Sequence, residues 1–385
     1  MTKSMNLLIY AANLHVGGGV QVATSVIDEL SQISDDAVDF TVWVSSAVDV
    51  NLRQLNVNKA VFAKYEIIDH FGISAFWSRE MVLEKAYDGV LVIFGPHYLG
   101  WLSVPIVVGF AQPWIIYNNS DAYKRIKSLK RIFLRVKYWL QGKLFRLADI
   151  LLVELEHVRV GLISSGIASG DHIRVVHNCI SSIYLEPGQW IPVELPYPRA
   201  AYRFGFLGRN YGHKNTEIFP EIISLLRYSY GLDVELIVTF TEKEWNDCSD
   251  KFRANVVNIG PLSVAQCPSF YKNLDGILFP SLLECFSATP LEAMAMRCMV
   301  FASDRSFVHD VCGEYADYFD PLDPASAAAM IAWRLGLPKD ESRLDNAQIY
   351  ARNFSNAKRR AREYIQCLKE LVLERDMKPR RSEDV

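Results

Sequence analysis

Residues 276–303, GILFPSLLECFSATPLEAMAMRCMVFAS, decide the fold because they pass from one strand pattern through a helical pattern into another. "GILFPS" and "MVFAS" are short, nearly continuous apolar runs, which are typical of strands buried on both faces of a sheet. "PLEAMAMR", between them, has the composition of a helix. A helix that joins two such strands predicts a parallel pair, the repeating unit of a doubly wound sheet.

The same alternation recurs along the chain in two series. Before residue 181 we predict strands at NLLIYAA, DFTVWVS, GVLVIFG, PIVVGFA, DILLVE and IRVVHN, and after residue 201 at YRFGFLG, VELIVTF, VVNIG, GILFP and MVFAS. Between the series lies SSIYLEPGQWIPVELPYPRAAY, residues 181–202, with four prolines. Proline removes a backbone donor and restricts the residue before it, so this stretch is typical of a linker. The sequence predicts an α/β protein with two doubly wound, Rossmann-like domains.

A chain of 385 residues is long enough for two domains. We predict a first domain at 1–183, a linker at 184–200 and a second domain at 201–350. A helix at 351–375 is expected to pack back on the first domain, and a polar tail at 376–385 follows it.

Composition excludes several classes of protein. The seven cysteines are scattered without a C-x-x-C pair, which argues against a disulfide framework and a zinc site and favours a cytoplasmic protein. The net charge of −3 says little about partners, and we expect no nucleic-acid partner. The longest nearly apolar stretch, VPIVVGFAQPWIIY, is interrupted by Gln112 and two prolines, so it is not expected to span a bilayer.

Residues 124–146 form a basic segment, KRIKSLKRIFLRVKYWLQGKLFR, with nine Lys or Arg and no acidic residue. Its apolar residues recur at three- and four-residue spacing, which predicts an amphipathic helix. Such a helix fits the surface of an anionic membrane. The same pattern equally suits a solvated helix whose apolar stripe packs on its own sheet.

A glycine turn follows the first predicted strand. Gly17, Gly18 and Gly19 precede a helical pattern, and glycines there let a ligand approach the backbone at a helix N-terminus. The dinucleotide fingerprint is not matched, because Val22 occupies the place of its third glycine. The alternative is a tight turn without a ligand.

Two cations follow the strand YRFGFLG. Arg209 and Lys214 lie five residues apart on a loop that contains glycine. Ligands of open α/β sheets bind beyond the carboxyl ends of the strands, and these two cations suit a diphosphate. They are otherwise two solvated loop cations.

The opening stretch carries two carboxylates, Glu284 and Glu292. Thr289 suits an N-cap, Pro290 the first helical position and Glu292 the third, which predicts a capping box. Glu284 has no such structural explanation, since it precedes the helix. The backbone amides near Ser287, Ala288 and Thr289 are expected to favour an anion.

Taken together, these motifs resemble the retaining glycosyltransferases of family 4, which have the GT-B fold. "FLGRNYGHKN" is similar to the family's G-R-x(n)-K-[GN] segment, and "FPSLLECFSATPLEAMAMRCMVFASD" to its E-x7-E signature. "YADYFDPLDPASAAAMI" resembles its closing segment, "GGGVQ" its glycine loop, and "ADILLVELEHVRVGLI" with "IRVVHNCIS" the segment ahead of the linker. The resemblance covers most of the chain.

The resemblance implies a role for each motif. Arg209 and Lys214 would hold the diphosphate of a nucleotide-sugar donor such as a GDP- or UDP-sugar. Glu284 would contact the transferred sugar, and Glu292 would accept hydrogen bonds from the ribose hydroxyls. The donor site would be lined by the loop residues Phe286, Ser287, Ala288 and Thr289. No other cofactor is implied.

The chain departs from the family's pattern at two places. Cys285 to Ala288 occupy a loop where the family usually has glycines, which is where we expect sugar specificity to lie. Ala111 or Gln112 occupies the place of the usual histidine, and His97 in "FGPHYLG" is the alternative catalytic histidine or a satisfied loop residue. No D-x-D triplet occurs, which favours transfer without a required metal.

The expected function is transfer of a hexose from a nucleotide sugar to a glycan, with retention of configuration and Glu284 as the catalytic carboxylate. If the basic segment meets a membrane, the acceptor is a lipid-linked oligosaccharide of a surface polysaccharide and the protein is peripheral on the inner face. A nucleotide-sugar epimerase of the same fold and a non-catalytic sugar-nucleotide-binding protein are the alternatives.

Overall fold

The computed structural model describes residues 4–33, 37–72, 87–97 and 103–377. The chain divides into two compact units. The first comprises the described residues of Met1–Ile116, Ile132–His177 and Ala357–Val385, and the second comprises Tyr117–Arg131 and Asn178–Asn356.

The first unit is built on a parallel sheet of seven strands in the order β3-β2-β1-β4-β5-β6-β7. Leu7 pairs with Phe40 on one side and Gly89 on the other, so β1 lies between β2 and β4. The strands are β1 (Met5–Ala11), β2 (Val38–Val44), β3 (Lys64–Ile67), β4 (Gly89–Val92), β5 (Ile106–Gly109), β6 (Ile150–Val153) and β7 (Ile173–Val175). The described helices before residue 178 are α1 (Gly18–Ser31), α2 (Ser46–Gln54), α3 (Pro113–Ile116), α4 (Asp121–Lys124), α5 (Ser128–Phe145) and α6 (Glu156–Ser164), and of these α4 belongs to the second unit.

The second unit has a parallel sheet of six strands in the order β10-β9-β8-β11-β12-β13. Its strands are β8 (Tyr202–Phe206), β9 (Val234–Val238), β10 (Val257–Asn258), β11 (Gly276–Phe279), β12 (Met299–Ser303) and β13 (Asp317–Phe319). The remaining helices are α7 (Phe219–Tyr228), α8 (Glu242–Asn246), α9 (Asp250–Asn255), α10 (Cys267–Lys272), α11 (Ala288–Ala295), α12 (Ser306–Cys312), α13 (Pro324–Gly336), α14 (Glu341–Asn353) and α15 (Ala357–Met377).

Each unit has its own hydrophobic core. The core of the first unit joins sheet residues such as Leu7 and Ile9 to helix α1 and to Tyr364 and Leu368 of α15. The core of the second unit is rich in aromatic residues, and Phe206, Phe219 and Phe240 pack there with ring centroids 5.5 and 6.0 Å apart. Burying such side chains between a sheet and its helices is the main stabilising contribution in each unit.

The prediction of two doubly wound parallel sheets is confirmed. Every predicted strand is present, but β3 and β13 were missed, and both lie at an edge of their sheet. Both strands are short, so neither has the continuous apolar run of a central strand. β3 has no buried residue among its four, and β13 has only three residues.

The observed units also differ from the expected ranges. Residues 117–131, which the sequence placed in the first domain, belong to the second unit. Arg125 bonds to the side chains of Asn215 and Glu217, and Asp121 pairs with Arg305, so polar contacts hold this segment to the second unit.

Candidate functional site

The site in the second unit lies where the strand order reverses. β8 and β11 are neighbours, although two further strands separate them in the chain. Chain segments that leave the carboxyl ends of such neighbours turn away from each other, which leaves a crevice between them. The loop after β8 carries Arg209 and Lys214, and the loop after β11 carries Glu284.

Lys214 and Glu284 form an ion pair in this crevice. The Lys214 Nζ lies 2.5 Å from Glu284 Oε1, and both side chains are largely buried, at 15% and 11% exposed. The Ser281 hydroxyl donates to the same carboxylate oxygen at 3.0 Å. Burial lowers the pKa of the neighbouring His213, with Glu284 acting in the opposite direction. The structure thus brings together Lys214, which was predicted to bind a diphosphate, and Glu284, the predicted catalytic carboxylate.

Asn215 holds the Lys214 loop in place. It is fully buried in the left-handed conformation, with φ 59°, which asparagine adopts more readily than most residues. Its Nδ2 donates to the carbonyls of Pro280 at 3.1 Å and Pro321 at 2.7 Å. One amide therefore fixes the loop after β8 against the loops after β11 and β13.

Arg209 is held by a partner that the sequence analysis missed. Its Nε donates to Glu244 Oε1 at 2.8 Å, and this bond uses one of the five N–H groups of the guanidinium. Burial raises the pKa of Glu244, but hydrogen bonds from Arg209 and Thr241 outweigh it and the pKa falls to about 2. The signal was present in the sequence: Thr241 and Glu244 have the spacing of a capping box, and they form one at the start of α8.

The capping box predicted at Thr289 is wrong. Helix α11 begins at Ala288, its N-cap is Ser287, and the Ser287 side chain makes no capping bond. The helix starts two residues earlier than predicted, so Thr289 and Pro290 already lie inside its first turn. The first amides of α11 thus receive no capping bond from Ser287, and residues 286–289 are partly exposed. A helix start of this kind favours an anion.

Glu292 points to tyrosines instead of its own helix start. The Tyr271 hydroxyl donates to Glu292 Oε2 at 3.0 Å, and Tyr184 donates to the same carboxylate. Burial raises the pKa of Glu292, while these two hydrogen bonds lower it. A carboxylate has about four acceptor sites, so Glu292 keeps acceptor capacity beyond its bonds from the two tyrosines.

The loop between the two glutamates has one buried and several partly exposed side chains. Cys285 is buried, and Phe286 lies beside Phe354 with ring centroids 6.4 Å apart. Side chains therefore occupy the positions where glycines would leave open space.

The remaining predicted site residues lie in the first unit, after β1 and β4. Gly17, with φ 73°, is the N-cap of α1, and a Cβ added at Gly17 or Gly18 would meet no atom within 4 Å. Gly19 has less room, since its Cβ would lie 3.3 Å from Leu14. The two loops are joined where Asn13 Nδ2 donates to the Phe94 carbonyl at 2.9 Å. The glycines thus leave open space at a helix start.

His97 is buried in the first unit, at 1% exposed. Neither of its ring nitrogens has a hydrogen-bond partner in the described part of the chain. Burial lowers its pKa to about 4, and Asp149 opposes that shift. His97 is therefore a neutral imidazole near pH 7. Gln112, the alternative position, is partly exposed and its backbone carbonyl accepts a bond from Ile115.

The described ranges contain no group of three or more His, Cys, Asp or Glu side chains arranged to hold a metal ion. Within the same ranges, no helix has the length and hydropathy to cross a membrane.

Part of the chain matches a known protein family. Residues 201–335 match the family described as glycosyl transferases group 1. By structure, the chain is similar to Alr3699/HepE of Anabaena in complex with UDP and glucose, at 14% identity and a TM-score of 0.66, covering 95% of this chain and 100% of that one. A glycosyltransferase from Rickettsia africae ESF-5 is similar at 14% identity and a TM-score of 0.70, over 97% and 100%. Sucrose-phosphate synthase from Thermosynechococcus elongatus is similar at 13% identity and 0.59, over 97% and 98%. No curated protein matches the chain by sequence.

The chain has the GT-B fold, since its two parallel sheets align over nearly their whole length with these structures. The group 1 match covers most of the second unit, the part that holds Arg209, Lys214, Glu284 and Glu292. Fold and family match together support a GT-B glycosyltransferase.

Proposed function

We propose that the protein transfers a hexose from a nucleoside-diphosphate sugar to a glycan, as a family 4 retaining glycosyltransferase with Glu284 and Glu292 as its E-x7-E pair. The observation that carries the proposal is the Lys214–Glu284 ion pair at the strand-order reversal of the second unit. UDP and UDP-glucose are the first donors to test, because the Anabaena neighbour is found in complex with both.

Departure of the nucleoside diphosphate leaves negative charge that must be stabilised. Lys214, the terminal nitrogens of Arg209 and the uncapped amides of α11 are the donors that do so. The arrangement needs no bound metal, because these groups supply the positive charge themselves.

The transferred carbon becomes oxocarbenium-like as the bond to the phosphate breaks, and a nearby carboxylate stabilises it. In the structure Lys214 forms an ion pair with Glu284. A bound diphosphate draws the Lys214 ammonium toward itself, which returns negative charge to Glu284 on the side of the sugar. The same lysine thus serves the leaving group and sets the charge of the carboxylate.

Glu292 is proposed to accept hydrogen bonds from the hydroxyls of the nucleotide ribose. Its two tyrosine donors fix the carboxylate and leave it acceptor capacity for a ligand. Phe286, Ser287, Ala288 and Thr289 line the donor in this proposal, and Cys285 to Ala288 narrow the space available to the sugar.

The acceptor side belongs to the first unit in this proposal. Gly17, Gly18 and Gly19 give a ligand access to the start of α1, and His97 is the proposed catalytic histidine. Its neutral ring carries one donor and one acceptor nitrogen, neither used within the described ranges. The acceptor is proposed to be a lipid-linked oligosaccharide of a surface polysaccharide, and the location the cytoplasmic face of the membrane.

The test begins with a donor screen. Thermal shifts with UDP-, GDP- and dTDP-sugars identify the donor, since a ligand that binds the folded state raises its stability. Transfer and slow hydrolysis of that donor are then measured for Glu284→Gln. We expect this variant to lose at least about a thousandfold in turnover, the scale of one electrostatic group in a transition state, while donor binding survives.

The matched control is Glu221→Gln, which removes an exposed carboxylate of α7 in the same unit. It is expected to keep wild-type turnover. Retained transfer by Glu284→Gln would remove Glu284 from the mechanism. Formation of a sugar isomer from the donor alone would show that the protein is an epimerase and not a transferase. Donor binding without turnover of any donor would show that it is a non-catalytic binding protein.

A further inference from the structure

The basic segment 124–146 contains helix α5, and most of its apolar side chains are not packed inside the protein. Six of them are 51% to 85% exposed: Leu129, Ile132, Phe133, Val136, Trp139 and Leu140. Only Gly142 and Phe145 of this helix are buried, and Leu134 and Tyr138 are partly buried on the same side. The sequence left open whether the apolar stripe packs on its own sheet, and the structure shows that it faces outward.

The exposed apolar side chains form one continuous stripe. At 3.6 residues per turn they fall within roughly 120° of arc around the helix axis. The side that packs on the protein, marked by Leu134 and Phe145, lies opposite to the stripe. A monomeric soluble protein rarely exposes a contiguous apolar surface of this kind without a binding partner.

Cations border the stripe on both sides. On the same helical projection Lys130 and Lys137 lie along one border, and Arg135 and Arg146 along the other. Residues 124–146 contain no acidic side chain. Lys143 lies within the stripe, with its Nζ 5.2 Å from the centre of the Trp139 ring, so its methylenes extend the apolar surface and its ammonium reaches the border.

We propose that this face of α5 binds the surface of an anionic lipid bilayer, with the helix lying in the plane of the interface. The apolar stripe enters the boundary between headgroups and acyl chains, and the bordering cations contact lipid phosphates. Trp139 suits this depth because an indole combines an apolar ring with a polar N–H.

The charge pattern argues against a second copy of the chain as the occupant. A symmetric dimer places the same patch of each copy face to face. Two stripes bordered by lysine and arginine alone would then bring like charges together, which opposes association. A nucleic acid would satisfy the cations but leave the six apolar side chains without a partner.

The test is sedimentation of the full chain with vesicles. We expect binding to vesicles of phosphatidylcholine mixed with phosphatidylglycerol, weak binding to phosphatidylcholine alone, and weakening by salt. Lys130→Glu/Lys137→Glu is expected to lower the partition coefficient by at least about 25-fold, about fivefold for each cation lost. The matched control is Lys251→Glu/Arg352→Glu, which makes the same charge change at exposed sites of the second unit and keeps wild-type binding.

A second pair of variants isolates the apolar stripe. Phe133→Gln/Trp139→Gln is expected to lose binding at least tenfold, whereas Trp333→Gln/Ile349→Gln changes equally exposed side chains elsewhere and binds like wild type. Lipids brominated on the acyl chain should quench a fluorescence component that is absent from Trp139→Phe. Thermal unfolding of each variant separates misfolding from lost binding.

Equal binding to neutral and anionic vesicles, or full binding by both α5 double variants, would overturn the proposal. So would a lipid-free dimer abolished by Phe133→Gln/Trp139→Gln, because the stripe would then be a subunit interface. Lipid binding does not depend on the transfer reaction, and UDP binding is measured on the same samples. Vesicle binding without any donor binding would refute the proposed function and leave this inference standing.

Discussion

At the scale of single residues, the state of Glu284 depends on Lys214. Both side chains are largely removed from water, and a charge left alone there is costly. Glu284→Gln removes the partner of Lys214 as well as the reacting carboxylate. Its effect on folding should therefore be measured beside its effect on turnover, with UDP present and absent.

Glu244 gives the first residue-scale prediction. Replacing Glu244 with Gln removes the charge that orients Arg209 and weakens the cap of α8. Because the Arg209 side chain is 55% exposed, we expect a modest effect, a loss of UDP affinity of about three- to tenfold, measured by calorimetry. Stability should fall by about 0.5–1 kcal/mol through the cap. Glu242→Gln, an exposed carboxylate in the same helical turn, is the control, and an equal loss in both variants would contradict the role of Glu244.

His97 predicts a pH dependence of stability. Burial lowers its pKa in the folded protein to about 4, below its ordinary value of 6.5. Above pH 6.5 the ring is neutral in both states, so its full contribution is present. Between pH 6.5 and 4 the unfolded chain binds the proton first, so the free energy of unfolding falls as pH falls, by about 3 kcal/mol at most.

The measurement is urea unfolding across this pH range for wild type and His97→Gln. The variant should lose that part of the pH slope, whatever its absolute stability. His172→Gln, a change at an exposed histidine, should keep the wild-type slope. A wild-type slope in His97→Gln would show that other groups dominate.

At the scale of elements, two alanine variants of the glycine turn before α1 distinguish backbone strain from ligand access. Gly17→Ala is expected to cost about 1–2 kcal/mol, since φ is 73° there. Gly18→Ala has room for its Cβ and lies at the helix start, so the melting temperature should not fall. If a ligand approaches this turn, Gly18→Ala loses about tenfold in transfer while remaining folded. Unchanged transfer by Gly18→Ala would show that the turn has a structural role only.

The strands and helices differ in how well they could be predicted from the sequence. The central strands could be predicted because burial on both faces requires a continuous apolar run. β3 has no buried residue and β13 has only three residues, so neither has such a run and both were missed. The capping box at Thr289 failed because its spacing is local, whereas the partners of Glu292 are tyrosines brought close by the fold. The Arg209–Glu244 pair likewise joins the loop after β8 to helix α8.

At the scale of the whole molecule, the two cores are built from interleaved segments. The last described helix, α15, completes the core of the first unit. Leu368 is fully buried there, whereas Leu373 on the same helix is half exposed. We expect Leu368→Ala to destabilise the first unit by about 2–5 kcal/mol and Leu373→Ala to change stability by less than about 0.5 kcal/mol.

Donor binding provides the readout that distinguishes the units. UDP affinity of Leu368→Ala, measured where the variant is still folded, should equal that of wild type, because the proposed donor residues belong to the second unit. A loss of UDP affinity would show that the second unit depends on the first for its fold.

The position of α15 in the chain also has a consequence for biosynthesis. A ribosome releases residues 117–131 and 178–356 before residue 357, so the second unit has all of its segments while the first still lacks a helix of its core. Domains fold as their segments become available during synthesis. Part of the apolar surface of the nascent first sheet therefore stays uncovered until α15 has been translated. Chaperones that bind exposed apolar segments can bind this sheet for longer than the second one.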